Sequence, residues 1–211
     1  MDSVDLASLL CSRLCHDLMS PVGALNNGIE LMADEQDPDM RDRCMDLLSE
    51  SARATANKLK FFRLAFGAAG GFGDAVDTKE ARGALEGLLG GDRKIELGWI
   101  VADDKLSKGA TKLLLNLALI AADALVRGGR LDIGVEKDGG VEIAIRAEGP
   151  RIALDDSIRE TLLKGAEGAI EPRAAGAWLA HSLAGAAGGE IQLSRPSDEL
   201  LVIGAMLPLA Q

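Results

Sequence analysis

Residues 9–33 decide the fold, and they read LLCSRLCHDLMSPVGALNNGIELMA. Apolar side chains recur in and beside this stretch at spacings of three, four and seven residues, which is the period of one helix face. The members of this apolar stripe are Leu10, Leu14, Leu18, Leu25, Ile29 and Met32. The stripe predicts a first helix over residues 4–33, on the order of 45 Å long at about 1.5 Å per residue.

A second helix is predicted after a short break at residues 34–38. Asp37 followed by Pro38 is a good helix start, because Asp caps free backbone N–H groups and Pro fits the first helical position. A second stripe follows in Met40, Cys44, Leu47, Leu48, Ser51, Thr55, Leu59, Phe62 and Phe66. Pairing two such hairpins into a four-helix bundle would cover both stripes, so we expect a homodimer. The alternative is that the hairpin packs on the rest of its own chain.

The glycine-rich residues 67–73, GAAGGFG, predict a linker between two domains, at residues 1–70 and 75–211. Helical patterns follow over residues 78–89, 107–127, 156–164 and 172–187. Alternating apolar residues predict strands over 95–101, 131–135, 141–145, 191–194 and 200–207. Asp138-Gly139-Gly140 is typical of a hairpin turn, and Pro196 to Asp198 of another. Consecutive antiparallel strands with helices to one side predict a two-layer α/β sandwich, so the fold class is α plus α/β.

Composition excludes several functional classes. The net charge is −10 and no Lys/Arg block is present, which argues against binding to nucleic acid or anionic membranes. No apolar run reaches the ~18 residues of a membrane span. Three cysteines without a signal peptide indicate a reducing cytoplasm. Cys11 and Cys15 lie four residues apart, but no further ligand completes a metal site, so we interpret them as small helix residues.

His16 is the residue with the clearest chemical potential. Helical phase places it roughly 120–220° from the apolar stripe, so its imidazole should face solvent. Imidazole has a pKa near neutrality and forms labile phosphoryl adducts, and the adjacent Asp17 could hydrogen-bond one ring nitrogen and leave the other as nucleophile. Pro21 should kink the helix just past His16, at a cost of ~3 kcal/mol. An exposed surface histidine beside a tolerated proline is the alternative, and His181 is interpreted as a packed or surface residue.

Small and polar neighbours around His16 predict a face on which another protein docks. Ser12, Ser20, Gly23 and Asn27 share the exposed helix face with His16. Leu9 and Met19 lie at its margin and could supply apolar contacts. Arg13 completes the set of predicted docking residues.

Residues 14–21, Leu14-Cys15-His16-Asp17-Leu18-Met19-Ser20-Pro21, resemble the phosphoacceptor box of two-component histidine kinases. A His, an acidic residue and a Thr/Ser-Pro recur there at these offsets. The hairpin resembles the dimerisation and phosphotransfer domain of those kinases, and the second half resembles their ATP-binding domain in element order. This resemblance implies that His16 is the phosphoacceptor and that Asp17 orients its imidazole.

The boxes that bind ATP in that family are incomplete in this chain. Asn116 matches the first Asn of the Asn box, but Ile120 stands at the position of the magnesium-binding Asn. Ala147 replaces the Asp that recognises adenine, Arg151 replaces a Gly, and Trp178 crowds the last Gly-rich box. Each lost polar contact would cost about 1–3 kcal/mol. The resemblance therefore implies a degenerate ATP-binding domain that is retained as a scaffold or docking surface.

This combination is similar to the ChpT-type histidine phosphotransferases, dimeric proteins of alphaproteobacterial cell-cycle phosphorelays. The similarity implies that the receiver domain of a hybrid sensor kinase donates a phosphoryl group to His16. Receiver domains of response regulators would then accept it. Each receiver would bring its own Mg²⁺, so we expect this chain to need no cofactor or metal. An ATP-dependent histidine kinase and a non-enzymatic adaptor of response regulators are the alternatives.

Overall fold

The computed structural model describes residues 2–67, 74–90, 94–166, 168 and 170–208. Residues 68–73 of the predicted linker, and with them the predicted domain boundary near residue 70, lie outside the described residues.

Two long helices form the N-terminal hairpin, α1 (Ser3–Asp34) and α2 (Pro38–Ala65). The side chain of Asp2 caps α1 by accepting hydrogen bonds from the first-turn N–H groups of Val4 and Asp5. Asp37 caps α2 in the same way, and Pro38 is its first residue. The predicted helices and the predicted start of α2 are confirmed, because capping and apolar period are local properties of the sequence.

Close contact between α1 and α2 depends on small and compact residues. Pro21 and Gly28 are the buried residues of α1. A Cβ atom at Gly28 would lie 2.8 Å from Cδ2 of Leu48, so a larger residue here would require the Leu48 side chain to move. At the far end of α2, Phe61 and Phe62 are buried in the same core as the second half of the chain. The hairpin therefore packs on its own chain at this end, as the alternative interpretation expected.

The second half alternates short strands with helices. Its elements are β1 (Ala75–Asp77), α3 (Thr78–Leu89), β2 (Ile95–Val101), β3 (Lys105–Ser107), α4 (Lys108–Ala124), β4 (Gly129–Glu136), β5 (Gly140–Glu148), α5 (Asp156–Lys164), a 3₁₀ turn (Pro172–Ala174), α6 (Ala175–Ala186), β6 (Glu190–Ser197) and β7 (Leu200–Pro208). Each helix predicted in this half is present, although α4 ends short of residue 127.

The main sheet has the strand order β2-β4-β5-β7-β6. The expectation of consecutive antiparallel strands is wrong for β2, which pairs parallel with β4, Ile95 lying opposite Gly129. Parallel neighbours need a long crossover, and the segment containing α4 supplies it. The antiparallel pair of β1 and β3 was not predicted, because three residues are too few to show alternation.

The last hairpin turn lies slightly later than expected. Strand β6 continues through Pro196 to Ser197, with an irregular register between Ser194 and Ser197. A proline is tolerated there because β6 is an edge strand of the sheet. The turn itself is formed by Asp198 and Glu199.

One aliphatic core joins the sheet to the helices. Leu113 and Leu117 of α4 are fully buried, as are Ile133 of β4, Ile145 of β5 and Ile203 of β7. Burial alternates along β5 and β7, so one sheet face packs on helices and the other is more open. The predicted two-layer sandwich beside a helical N-terminal region is confirmed. No helix in the described part of the chain is long and apolar enough to cross a bilayer.

Candidate functional site

His16 projects from α1 with 84% of its side chain exposed. Its Nδ1 atom lies 3.2 Å from Oδ1 of Asp17. When Nδ1 carries the proton, it donates a hydrogen bond to this carboxylate. The free lone pair of the ring is then on Nε2. The exposure of His16 that was predicted from helical phase is therefore confirmed. The carboxylate of the adjacent Asp17 reaches its ring.

Asp17 is itself held in place by Arg13, one turn earlier on α1. Arg13 donates from Nε to Oδ2 of Asp17 over 2.7 Å, and from Nη2 to Oδ2 of Asp123 on α4 over 2.8 Å. Burial by itself would lower the pKa of Arg13, but the two carboxylates outweigh it and raise that pKa above its ordinary value. The two oxygens of Asp17 thus have different partners, the imidazole of His16 and the guanidinium of Arg13.

A second contact holds the backbone of the same turn. Lys58 of α2 donates from Nζ to the backbone oxygen of Asp17 over 2.7 Å. Pro21 lies inside the continuous helix α1, four residues after Asp17, and has no N–H to bond that oxygen. The kink expected at Pro21 stays a prediction, while its missing N–H has a clear structural consequence.

The predicted docking residues differ in exposure. Ser12, Met19, Ser20 and Asn27 are exposed, and Leu9 and Gly23 are half-buried. The side chain of Arg13 is only 15% exposed, and its guanidinium is bonded to carboxylates of the same chain. The docking role of all these residues, Arg13 included, stays a prediction.

Three contacts around His16 were missed by sequence reasoning, namely those of Lys58, Asp123 and Arg173. Arg173 contributes its backbone oxygen, which accepts a hydrogen bond of 3.4 Å from Nη1 of Arg13. All three residues are remote from His16 along the chain, so no spacing rule indicated them. The pairing of Arg13 with Asp17 was accessible, because residues four apart on a helix are neighbours.

The remnant of the Asn box has a structural role. Asn116 is fully buried, and its Nδ2 donates to the backbone oxygens of Ala65 and Lys112 over 3.0 and 2.8 Å. It thereby joins α4 to the C-terminal end of α2. Helix α6 lies close to this amide at Gly176. A Cβ atom at position 176 would be only 3.1 Å from Oδ1 of Asn116. Ile120 and Ala147, the apolar replacements, are both buried.

His181, the second histidine of the chain, makes a contact between two helices. Nδ1 of His181 lies 3.1 Å from the backbone oxygen of Leu162, a contact that joins α6 to α5. Among the described residues, no cluster of three or more His, Cys, Asp or Glu side chains could hold a metal ion.

Comparison with known proteins gives consistent matches. The family model for the histidine phosphotransferase C-terminal domain matches residues 78–199. Protein phosphotransferase ChpT of Brucella abortus (strain 2308) is 36% identical over 204 residues, which cover 95% of each chain. A bacterial phosphotransferase structure solved at 1.7 Å is 34% identical and has a TM-score of 0.85, with 97% of both chains covered. The match to these two relatives therefore covers both the hairpin and the sandwich, that is, nearly the whole chain. The protein belongs to the histidine phosphotransferase family.

Proposed function

We propose that His16 is the residue that carries the phosphoryl group in this phosphotransferase. It takes the group from the receiver domain of a hybrid sensor kinase and passes it to receiver domains of response regulators. The exposed imidazole of His16 is the observation that supports this role most directly. A receiver holds its phosphoryl group on an aspartate within a pocket, so the acceptor nitrogen has to protrude from its own protein.

The contact between His16 and Asp17 suits the chemistry of transfer. The lone pair of Nε2 forms a bond to phosphorus while the bond between phosphorus and the receiver's aspartate oxygen breaks, and that aspartate leaves as a carboxylate. The carboxylate of Asp17 accepts a hydrogen bond from the N–H at Nδ1 and stabilises the positive charge that develops on the ring. The same steps run in reverse toward the second receiver. Each receiver supplies its own Mg²⁺, so this chain needs no cofactor of its own.

The surroundings of His16 suit the docking of a folded domain. Ser12, Ser20 and Asn27 are exposed and small or polar, so they leave space beside the imidazole. Met19 is 71% exposed and offers an adaptable apolar contact. The correct placement of the receiver then supplies most of the rate, because transfer depends on alignment of the two reacting groups.

We also propose that transfer does not use ATP. Ile120 and Ala147 present no polar atoms to a nucleotide from their side chains, and both are buried. The amide Nδ2 of Asn116 is already used by two backbone oxygens. Incubation with labelled ATP and Mg²⁺ should leave His16 unlabelled. Label that appears on His16 without any receiver would contradict this part of the proposal.

A second copy of the chain is the partner that suits the exposed apolar side of the hairpin. Large apolar residues remain exposed along α1 and α2 of the single chain, among them Val22, Ile29, Met40, Met45, Leu47 and Leu59. Large apolar side chains left exposed on a helical hairpin favour burial against another hairpin. We propose a homodimer that presents two equivalent His16 residues.

Transfer from a phosphorylated receiver tests the central proposal. The wild-type protein should acquire acid-labile label, and His16→Gln should acquire none. His181→Gln is the matched control, because it removes the other histidine of the chain and should still be labelled. Label retained by His16→Gln would show that another residue accepts the group. Wild-type cellular signalling by His16→Gln would favour the adaptor alternative.

A further inference from the structure

The second half of the chain reaches the side chain next to His16 through Asp123 of α4. Oδ2 of Asp123 accepts a hydrogen bond of 2.8 Å from Nη2 of Arg13, and Arg13 donates from Nε to Oδ2 of Asp17 over 2.7 Å. The other oxygen of Asp17, Oδ1, lies 3.2 Å from Nδ1 of His16. Four side chains therefore form one series of contacts, which begins on α4 and ends at the exposed imidazole.

Asp123 stands in an unfavourable place for a carboxylate. It lies in the last turn of α4, where the helix dipole is negative and a negative side chain is destabilising. That turn contains no basic residue of its own. The guanidinium of Arg13 brings positive charge to this place from α1. Contact with α1, rather than the stability of α4, therefore accounts for an acidic residue at this position.

The contact with Asp123 limits how many bonds Arg13 gives to Asp17. A guanidinium commonly binds both oxygens of one carboxylate through two parallel N–H groups, and Nε with Nη2 is one such pair. Here Nη2 is bonded to Asp123 and Nη1 to the backbone oxygen of Arg173, at 2.8 and 3.4 Å, so Nε is the atom that bonds Asp17. Oδ1 of Asp17 is consequently left to the ring of His16.

The charges of the same group also favour transfer. Arg13 carries one positive charge and faces two carboxylates, so one negative charge remains uncompensated among these three side chains. That charge lies beside an imidazole that becomes positive as it accepts a phosphoryl group. All three side chains are half-buried, so salt and solvent screen their interactions less than on an open surface. Without Asp123, the guanidinium would neutralise Asp17 fully.

We propose that Asp123 is a positioning residue for the phosphoryl transfer at His16. It engages Arg13, so that one oxygen of Asp17 is left to orient the imidazole. The second half of the chain thus contributes to the phosphoacceptor site without touching the reacting atoms. This inference rests on the role proposed for His16, and it extends that role by giving α4 a part in transfer.

The tautomer of the His16 ring tests this series of contacts independently of transfer. His181→Gln leaves His16 as the single histidine, so long-range proton–nitrogen NMR spectra of the full-length protein with isotope-labelled histidine report on one ring. In this background and with a neutral ring, we expect the tautomer with the proton on Nδ1 to dominate. Asp123→Asn should lower its fraction about twofold. Asp138→Asn, in the exposed turn between β4 and β5, is the matched control and should keep the original tautomer.

Transfer kinetics test the consequence for the reaction. With a phosphorylated receiver, Asp123→Asn should lower the rate constant at saturation about fivefold and leave the half-saturating receiver concentration unchanged, because alignment is altered and docking is not. The effect should vanish in the Asp17→Asn background, since Asp123 acts through that carboxylate. Asp123→Ser removes the same charge and should give the same tautomer and rate. Asp138→Asn should transfer at the wild-type rate, and circular dichroism confirms that each variant is folded.

Three results would overturn the proposal. The first is an unchanged tautomer in both Asp123 variants, and the second is equal slowing by Asp123→Asn with and without Asp17→Asn. The third is a raised half-saturating concentration at an unchanged rate constant, which would show that Asp123 contacts the receiver instead. Label retained by His16→Gln would contradict the phosphoacceptor role alone, because the tautomer measurement involves no transfer.

Discussion

Lys58 of α2 donates a hydrogen bond of 2.7 Å to the backbone oxygen of Asp17, the carbonyl that Pro21 leaves without a helical partner. A proline inside a helix is usually unfavourable because it removes one backbone hydrogen bond. Here a side chain of the neighbouring helix replaces that bond, next to His16. Pro21 therefore creates the acceptor through which α2 is attached to the turn that carries the phosphoacceptor candidate.

Lys58→Met should lower the free energy of unfolding by about 1–2 kcal/mol, because it leaves the Asp17 carbonyl without a partner. The loss should be smaller in the Pro21→Ala background, where an alanine N–H can bond the same oxygen. Urea denaturation of the four proteins of this double-mutant cycle measures the coupling. Lys60→Met, on the exposed side of α2, is the control and should change stability little. Equal effects of Lys58→Met in both backgrounds would contradict the relationship.

Asp17→Asn should slow acceptance of a phosphoryl group by His16 about tenfold. The neutral amide keeps the shape of the side chain but loses a charge-assisted hydrogen bond to the ring, worth about 1–2 kcal/mol. Rapid-quench kinetics with a phosphorylated receiver measure the rate of transfer. Asp34→Asn, at the far end of α1, should transfer at the wild-type rate. A wild-type rate for Asp17→Asn would show that the ring needs no orientation by this residue.

Arg13→Gln should lower the free energy of unfolding by about 2 kcal/mol, because two carboxylates would lose their shared partner in a half-buried place. Arg13→Lys should recover little of this loss, since a single ammonium cannot bond both Asp17 and Asp123 as the guanidinium does. Urea denaturation compares the three proteins. If Arg13→Lys were as stable as the wild type, the bridging geometry would be unimportant.

Asp155 caps α5, and its pKa is lowered from 3.8 by the hydrogen bond from the hydroxyl of Ser157 and then by the backbone N–H of the same residue. A carboxylate with a lowered pKa in the folded state stabilises the protein above its unfolded pKa, and this stability is lost as pH falls through the folded value. The wild type should therefore exceed Asp155→Asn in stability at pH 6, and the difference should shrink toward pH 3. Urea midpoints at the two pH values measure it, and a constant difference would contradict the charge effect.

Ile29→Glu should convert the proposed dimer to a monomer, because it places a charge on the apolar face that a second hairpin would cover. Leu31→Glu is a matched control, since Ile29 and Leu31 are 59% and 60% exposed and lie on opposite faces of α1. Sedimentation equilibrium of both variants and the wild type measures the mass in solution. A monomeric wild type, or a dimeric Ile29→Glu, would contradict the proposed interface.

The local features of this protein could be predicted from the sequence because they depend on residues close together in the chain. Asp37 and Pro38 start α2 through hydrogen bonds and dihedral angles within a single turn. Helical period alone placed His16 on the exposed side of α1 and brought Asp17 within reach of its ring. The helices at 78–89 and 156–164 were likewise located by their apolar pattern.

Only the tertiary structure decided which distant residues meet. Strand β2 lies parallel to β4 because the chain crosses over through α4, and strand alternation carries no information on neighbours. Arg13 turns inward because Asp123 arrives beside it from α4, more than a hundred residues away along the chain. The sequence by itself determined that His16 is exposed beside a carboxylate. Packing between elements decided that Asp123 fixes Arg13 beside that carboxylate and that Lys58 bonds the backbone oxygen of Asp17, since these partners are brought together only by the fold.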